Sequence, residues 1–262
     1  RRNEIVSFVS RGLKDLSISR STFDWGVPLP FDEGHVAYVW ADALIAYLTG
    51  IGYADDERSD EFEQRWPMQY HFVGKDITRF HCVIWPAMLM AAGLPITHTV
   101  FGHGFLLTKG EKMSKSKGNA VRPADLVRVF GVDAYRYYFM SDVQFGHDGS
   151  ISLERMVQVY NADLANTWGN LVSRVFNMTK KYFDALVPVV PASMAGADNP
   201  LRDEAAGLYA AYDAAMEQVD FTAAAAAAQR LAARANRYIE ETEPFKLAKD
   251  PERADELAFV MY

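Results

Sequence analysis

Gln69-Tyr70-His71-Phe72-Val73-Gly74-Lys75-Asp76-Ile77 decides the fold. The first five residues, aromatic and β-branched, read as a strand, and Gly74-Lys75-Asp76 turns the chain at once into a helix running from Ile77 to about Ala92. Asp76 stands at the helix start, where its carboxylate serves either as an N-cap or as an acceptor for a ligand hydroxyl. Gly93-Leu94-Pro95 ends the helix, and Thr97-His98-Thr99-Val100-Phe101 is the next strand, running into Gly102-His103-Gly104. Strand, helix and strand at this spacing form a βαβ unit, so the strands are parallel and ligands are expected beyond their carboxyl ends.

N-terminal to this unit, His35-Val-Ala-Tyr-Val-Trp40 reads as a further buried strand leading into a helix at Ala41–Tyr47. That places Trp40, Gly74, Asp76 and His103 on one rim. Residues 1–34 carry an amphipathic turn around Ile5, Phe8 and Val9 and are otherwise expected to be loop; residues 52–66 are acidic and expected to be exposed. C-terminal to it, residues 120–150 suggest two short helices. From about Ser152 a helical spacing holds Leu153, Met156, Val157, Tyr160, Leu164, Trp168, Leu171, Val175 and Phe176 on one stripe. Two more helices are expected around Leu201–Gln218 and Thr222–Glu241, the second rich in alanine. The fold class is therefore α/β, part of a parallel Rossmann-type nucleotide-binding sheet followed by an all-α helical bundle. The expected domains are 1–119, a connecting helical segment 120–150, and a bundle 151–262.

Composition narrows the function. With 27 basic against 34 acidic residues and a net charge of -7, a nonspecific, uniformly basic nucleic-acid binder is excluded, so any RNA contact comes from local patches. The single cysteine, Cys82, rules out an internal disulfide framework and a Cys-rich zinc site, and no metal site is expected. No apolar run reaches the length of a membrane span, and the N-terminus lacks the apolar stretch of a secretory signal, so the cytoplasm is the expected compartment.

Three constellations could carry chemistry. Lys109-Gly-Glu-Lys112-Met-Ser-Lys115-Ser-Lys-Gly-Asn119 gathers four lysines with a glycine near each end, a cationic loop suited either to solvent or to closing over a polyphosphate. Ile77, His81 and Trp85 recur at i, i+4 and i+8 on one helix face, and with Trp40 and Tyr47 they either pack a core or line a small apolar pocket with two polar handles. On the first long helix, Asn166, Asn170, Arg174 and Asn177 lie roughly opposite the apolar stripe, a polar face that either meets water or reads unpaired bases.

Phe72-Val-Gly-Lys-Asp-Ile77, Phe80-His81, Trp85-Pro-Ala-Met-Leu89, His103-Gly104 and Lys112-Met-Ser-Lys-Ser116 occur in the order and at the spacing of methionyl-tRNA synthetases, and the chain resembles the C-terminal half of that class I family. The resemblance implies a methionine pocket of Trp40, Ala43, Tyr47, Ile77, His81 and Trp85. It implies ATP contacts from Gly74, Asp76 and His103, with Lys112 and Lys115 on the phosphates, and ATP with Mg2+ as substrate. It also implies anticodon contacts from Asn166, Asn170, Arg174 and Phe245, where relatives often carry tryptophan after the proline. The partners implied are methionine, ATP and tRNA(Met), including the initiator. The family's earlier His-Ile-Gly-His motif and its zinc-binding insertion are not in these residues. The expected activity, methionine–tRNA ligation, then needs an N-terminal half, and the chain alone is expected to be inactive; the alternative is a noncatalytic tRNA-binding module.

Overall fold

The computed structural model describes residues 1–108, 110–113 and 121–262, with Lys112 described by its backbone alone. It divides into two compact units, Arg1–Gly104 and Phe105–Tyr262.

The first unit opens with α1 (Arg2–Ser10), a helix where the sequence suggested only a turn, and all of its side chains remain at least partly accessible. Strands β1 (Ser19–Arg20), β2 (Pro28–Leu29) and β3 (Asp32–Ala37) form an antiparallel sheet in the order β1-β3-β2. The predicted strand His35–Trp40 is thus earlier than expected and does not join the parallel strands. Its partner β2 lies two residues away in sequence and β1 eleven, both nearer than β4, so closing those loops costs less than reaching the more distant strand. Trp40 consequently sits in the first turn of α2 (Val39–Thr49), which is followed by α3 (Ser59–Arg65).

The βαβ unit is present. β4 (Tyr70–Gly74) pairs in parallel with the strand Thr99–His103, Tyr70 opposite Thr99 through to Gly74 opposite His103. Between them the chain makes a 3-10 turn at Lys75–Ile77, a π-helical segment at Phe80–Ile84 and then α4 (Trp85–Ala91); the closing strand is β5. Asp76 falls inside the 3-10 turn, whose N-cap position is Gly74, and a Cβ on Gly74 would stand 2.5 Å from Asp76 Oδ1. A side chain at position 74 would have to displace the Asp76 carboxylate from where it now lies. Leu44, Leu48, Ile51, Trp66, Trp85 and Leu89 form the core of this unit. Leu44 and Leu89, each 1% exposed, contribute about 2 kcal/mol apiece by leaving water.

The second unit begins with β6 (Leu106–Thr108) and β7 (Glu111–Lys112), an antiparallel pair. After α5 (Pro123–Phe130) and α6 (Val132–Ser141), β8 (Gly149–Ile151) pairs in parallel with β6. That pairing gives the second unit, Phe105–Tyr262, a small sheet of its own beside its helices. α7 (Leu153–Val159), a π-helical stretch (Tyr160–Gly169) and α8 (Asn170–Tyr182) run on continuously. Met156 and Val159 are buried whereas Leu153, Val157 and Phe176 of the expected stripe face outward. A stretch bonded i→i+5 shifts the phase of every residue after it, which a constant helical period does not anticipate.

α9 (Pro200–Glu217) and α10 (Phe221–Thr242) fall where the sequence put them and pack on each other. Asp220 caps α10 by accepting from the Ala223 N–H, and Ala224, Ala227 and Ala232 are buried. Two short helices, α11 (Pro244–Leu247) and α12 (Ala254–Met261), complete the chain.

Candidate functional site

α2 carries Trp40, Ala43 and Tyr47 at i, i+3 and i+7, one helix face, while Leu44 and Leu48 turn to the core. The π-helical segment brings His81 to meet that face. Its Nδ1–H donates to the Ile77 carbonyl at 3.0 Å, which in the neutral ring leaves a lone pair on Nε2. The Tyr47 hydroxyl donates to that lone pair at 2.8 Å. Burial raises the Tyr47 pKa, so the phenol keeps its proton at neutral pH.

The other rings close around this bond. Trp85 lies 5.9 Å from Tyr47 between centroids and is 1% exposed. Trp40 meets His81 edge-on at 6.4 Å and stacks on Phe80 at 4.0 Å and 14°. Ile77 is half-buried and Ala43 exposed. The structure therefore brings Trp40, Tyr47, His81 and Trp85 together, with Ile77 joined through its carbonyl. Their core reading holds in part as well, since Trp85 belongs to the core and Trp40 and Tyr47 pack against it.

One residue of this cluster was not anticipated. His71, on β4 and only 4% exposed, sets its ring edge-on to Tyr47 at 4.5 Å and 5.7 Å from His81. Burial, and then the neighbouring His81, push its pKa down to about 4, so it is neutral in the physiological range. The signal was available: alternation along a strand puts His71 on the same side as the buried Val73.

At the carboxyl end of the parallel pair, Gly74 stands opposite His103, and the His103 Nδ1–H donates to the Gly104 carbonyl at 2.8 Å. Gly74, Asp76 and His103 thus share one end of the sheet. Lys112 is placed by its backbone in β7, opposite Leu107, and Lys115 lies outside the described residues.

Residues 1–176, two thirds of the chain, match the family model described as tRNA synthetases class I (M). The chain belongs to this synthetase family. It is 49% identical over its whole length to a methionine–tRNA ligase of Caldanaerobacter subterraneus and 48% identical to one of Streptomyces coelicolor, covering 41% and 48% of those proteins. The structure superposes on the Mycobacterium tuberculosis methionyl-tRNA synthetase in complex with methionyl-adenylate with a TM-score of 0.92 at 44% identity, covering all of this chain and 51% of that one. The synthetase chain spans about half the length of the relatives it matches.

In the second unit of this synthetase chain, Asn166 and Asn170 are exposed, and Asn177 donates to Ser173. Arg174 faces Glu240 of α10 at 3.6 Å, and Phe245 is 43% exposed beside the buried Pro244. An accessible ion pair of this kind is worth about 1 kcal/mol or less. The same unit holds a polar knot that the sequence did not reveal. The Tyr137 hydroxyl donates to Asp163 at 2.8 Å and accepts from Gln229 at 2.6 Å, tying α6, the π-helical stretch and α10 together. Burial and the Asp163 carboxylate push the Tyr137 pKa up to about 12.

Proposed function

We propose that this chain is the second catalytic half and the anticodon-reading helices of a methionine–tRNA ligase. The methionine carboxylate attacks the α-phosphorus of ATP, forming the acyl-phosphate bond as the bridge to the β-phosphorus breaks and pyrophosphate leaves. The ribose hydroxyl at the 3′ end of tRNA(Met), initiator tRNA included, then takes the methionyl group and releases AMP. The first step needs charge neutralised on the departing pyrophosphate more than it needs an acid or a base. Lys112 and Lys115 are assigned that role, with Mg2+ arriving on ATP. Gly74, Asp76 and His103 are assigned to the nucleotide. The cytoplasm is the assigned compartment.

The observation that carries the reading is the Tyr47–His81 bond inside a wall of Trp40 and Trp85. An apolar slot with one phenol and one imidazole suits a slim, unbranched, weakly polar side chain; charged ones would be left without a partner. Asn166, Asn170, Arg174 and Phe245 are assigned to the anticodon, by amide and guanidinium hydrogen bonds and by stacking on an aromatic ring.

Two arms of one experiment test this: methionine-dependent ATP–pyrophosphate exchange by the chain alone and by the full-length protein. Exchange in the second arm only is expected. Tight tRNA binding with no exchange in either arm would instead make the chain a noncatalytic tRNA-binding module.

A further inference from the structure

Counting donors around Tyr47 exposes a gap. The Tyr47 proton is committed to His81 Nε2, and the His81 proton to the Ile77 carbonyl. Two further buried nitrogens touch the same cluster, His71 Nε2 and Trp85 Nε1, and neither has a hydrogen-bond partner among the described residues. Both rings contact Tyr47, at 4.5 Å and 5.9 Å between centroids, one on each element packed against it. A buried N–H without an acceptor costs stability that an apolar residue of the same shape would not. An indole offers only a donor, and a neutral imidazole offers one donor and one acceptor. Each of these two nitrogens, on rings packed against one phenol, would be satisfied by an acceptor atom brought within its reach.

We infer that His71 is a specificity-determining residue of the amino-acid slot, its Nε2–H donating to the side-chain sulfur of the substrate, with the Trp85 N–H as a second, flanking donor. The inference rests on the methionine reading proposed above and deepens it. A hydrocarbon side chain of the same length, norleucine, fills the space equally well but offers no lone pair. It leaves the imidazole orphaned, and methionine does not. The neutral state that burial imposes on His71 keeps the slot free of a charge that would favour acidic or hydroxylated ligands. Because a thioether is a weak acceptor, the discrimination is modest, about fivefold for one such contact.

The test is amino-acid-dependent ATP–pyrophosphate exchange by the full-length enzyme, with methionine and with norleucine, in the wild type, His71→Phe and His71→Gln. Phenylalanine keeps a ring against Tyr47 and loses the donor; glutamine returns an N–H near the Nε2 position. His71→Phe is expected to lower the methionine-to-norleucine ratio of kcat/KM about fivefold, through the methionine KM and with the ATP KM unmoved. His71→Gln is expected to retain the ratio to within about twofold. An unchanged ratio in His71→Phe overturns the inference, as does an equal loss for both amino acids in both variants, the mark of packing alone. Should His71→Phe fail to fold, 15N NMR of histidine-labelled wild type decides. Methionine must shift the His71 Nε2 resonance and norleucine must not, and equal shifts overturn the inference. A wild type that shows no exchange with methionine refutes the reading of the slot itself, whereas methionine-dependent exchange with an unresponsive ratio refutes only the role of His71.

Discussion

Tyr47→Phe removes one oxygen from the middle of the slot and leaves every ring in place. The oxygen lost is the donor 2.8 Å from His81 Nε2, and His81 is 1% exposed, so water does not replace it. A buried acceptor stripped of its donor costs about 1–3 kcal/mol. The Nδ1–H bond to Ile77 survives, so His81 stays on its element but loses the tie that fixes its ring against α2. If that tie pre-organises the slot, the cost appears in binding. We expect the methionine KM in ATP–pyrophosphate exchange by the full-length enzyme to rise about tenfold, the equivalent of about 1.4 kcal/mol. The ATP KM should stay within about twofold, since Tyr47 is assigned no contact with the nucleotide. His81→Phe alone should do similar damage, and the double variant should cost less than the two singles together by about 1 kcal/mol. Strict additivity, or an unmoved methionine KM in Tyr47→Phe, would refute the reasoning.

Lys115→Ala in the full-length enzyme should lower the exchange rate by about two orders of magnitude or more, the scale of one lost electrostatic stabiliser, with methionine affinity in equilibrium binding intact. An unchanged rate would strip the loop of its assigned role. Arg174→Ala should raise the tRNA KM in aminoacylation by about tenfold or more, a bidentate base contact being worth about 1–3 kcal/mol, while tRNA-independent exchange is unaffected. A fall in exchange instead would mean that the substitution had disturbed the bundle.

The βαβ unit was legible because each strand is a run of five residues bounded by glycine or proline, and β4 and β5 lie within two residues of where those runs put them. α9 and α10 were legible for a related reason: proline and aspartate mark their starts, and alanine favours the interior. What escaped depends on long-range pairing or on small changes in helical pitch. β6 and β8 are three residues each, and β8 is a strand only through its parallel pairing with β6 across two intervening helices. α1 has no side-chain cap and no buried residue, so nothing local distinguishes it from a loop. The π-helical segments are composed like ordinary helix, yet the one at Phe80–Ile84 is part of what sets His81 against Tyr47. In the candidate site, the motif order pointed to Trp40, Tyr47, His81 and Trp85 as a group. The bond between two of them, 34 residues apart, and the burial of His71 beneath them, follow from packing that no single stretch encodes.

The account stands or falls on which amino acid the slot accepts. ATP–pyrophosphate exchange by the full-length enzyme, run in parallel with methionine, leucine, isoleucine and valine at equal concentration, measures this most directly. Exchange with methionine, and at most traces with the branched aliphatics, is the predicted result. Preference for a branched side chain would contradict the account, because the cluster of Trp40, Tyr47, His81 and Trp85 would then be core and not a recognition site.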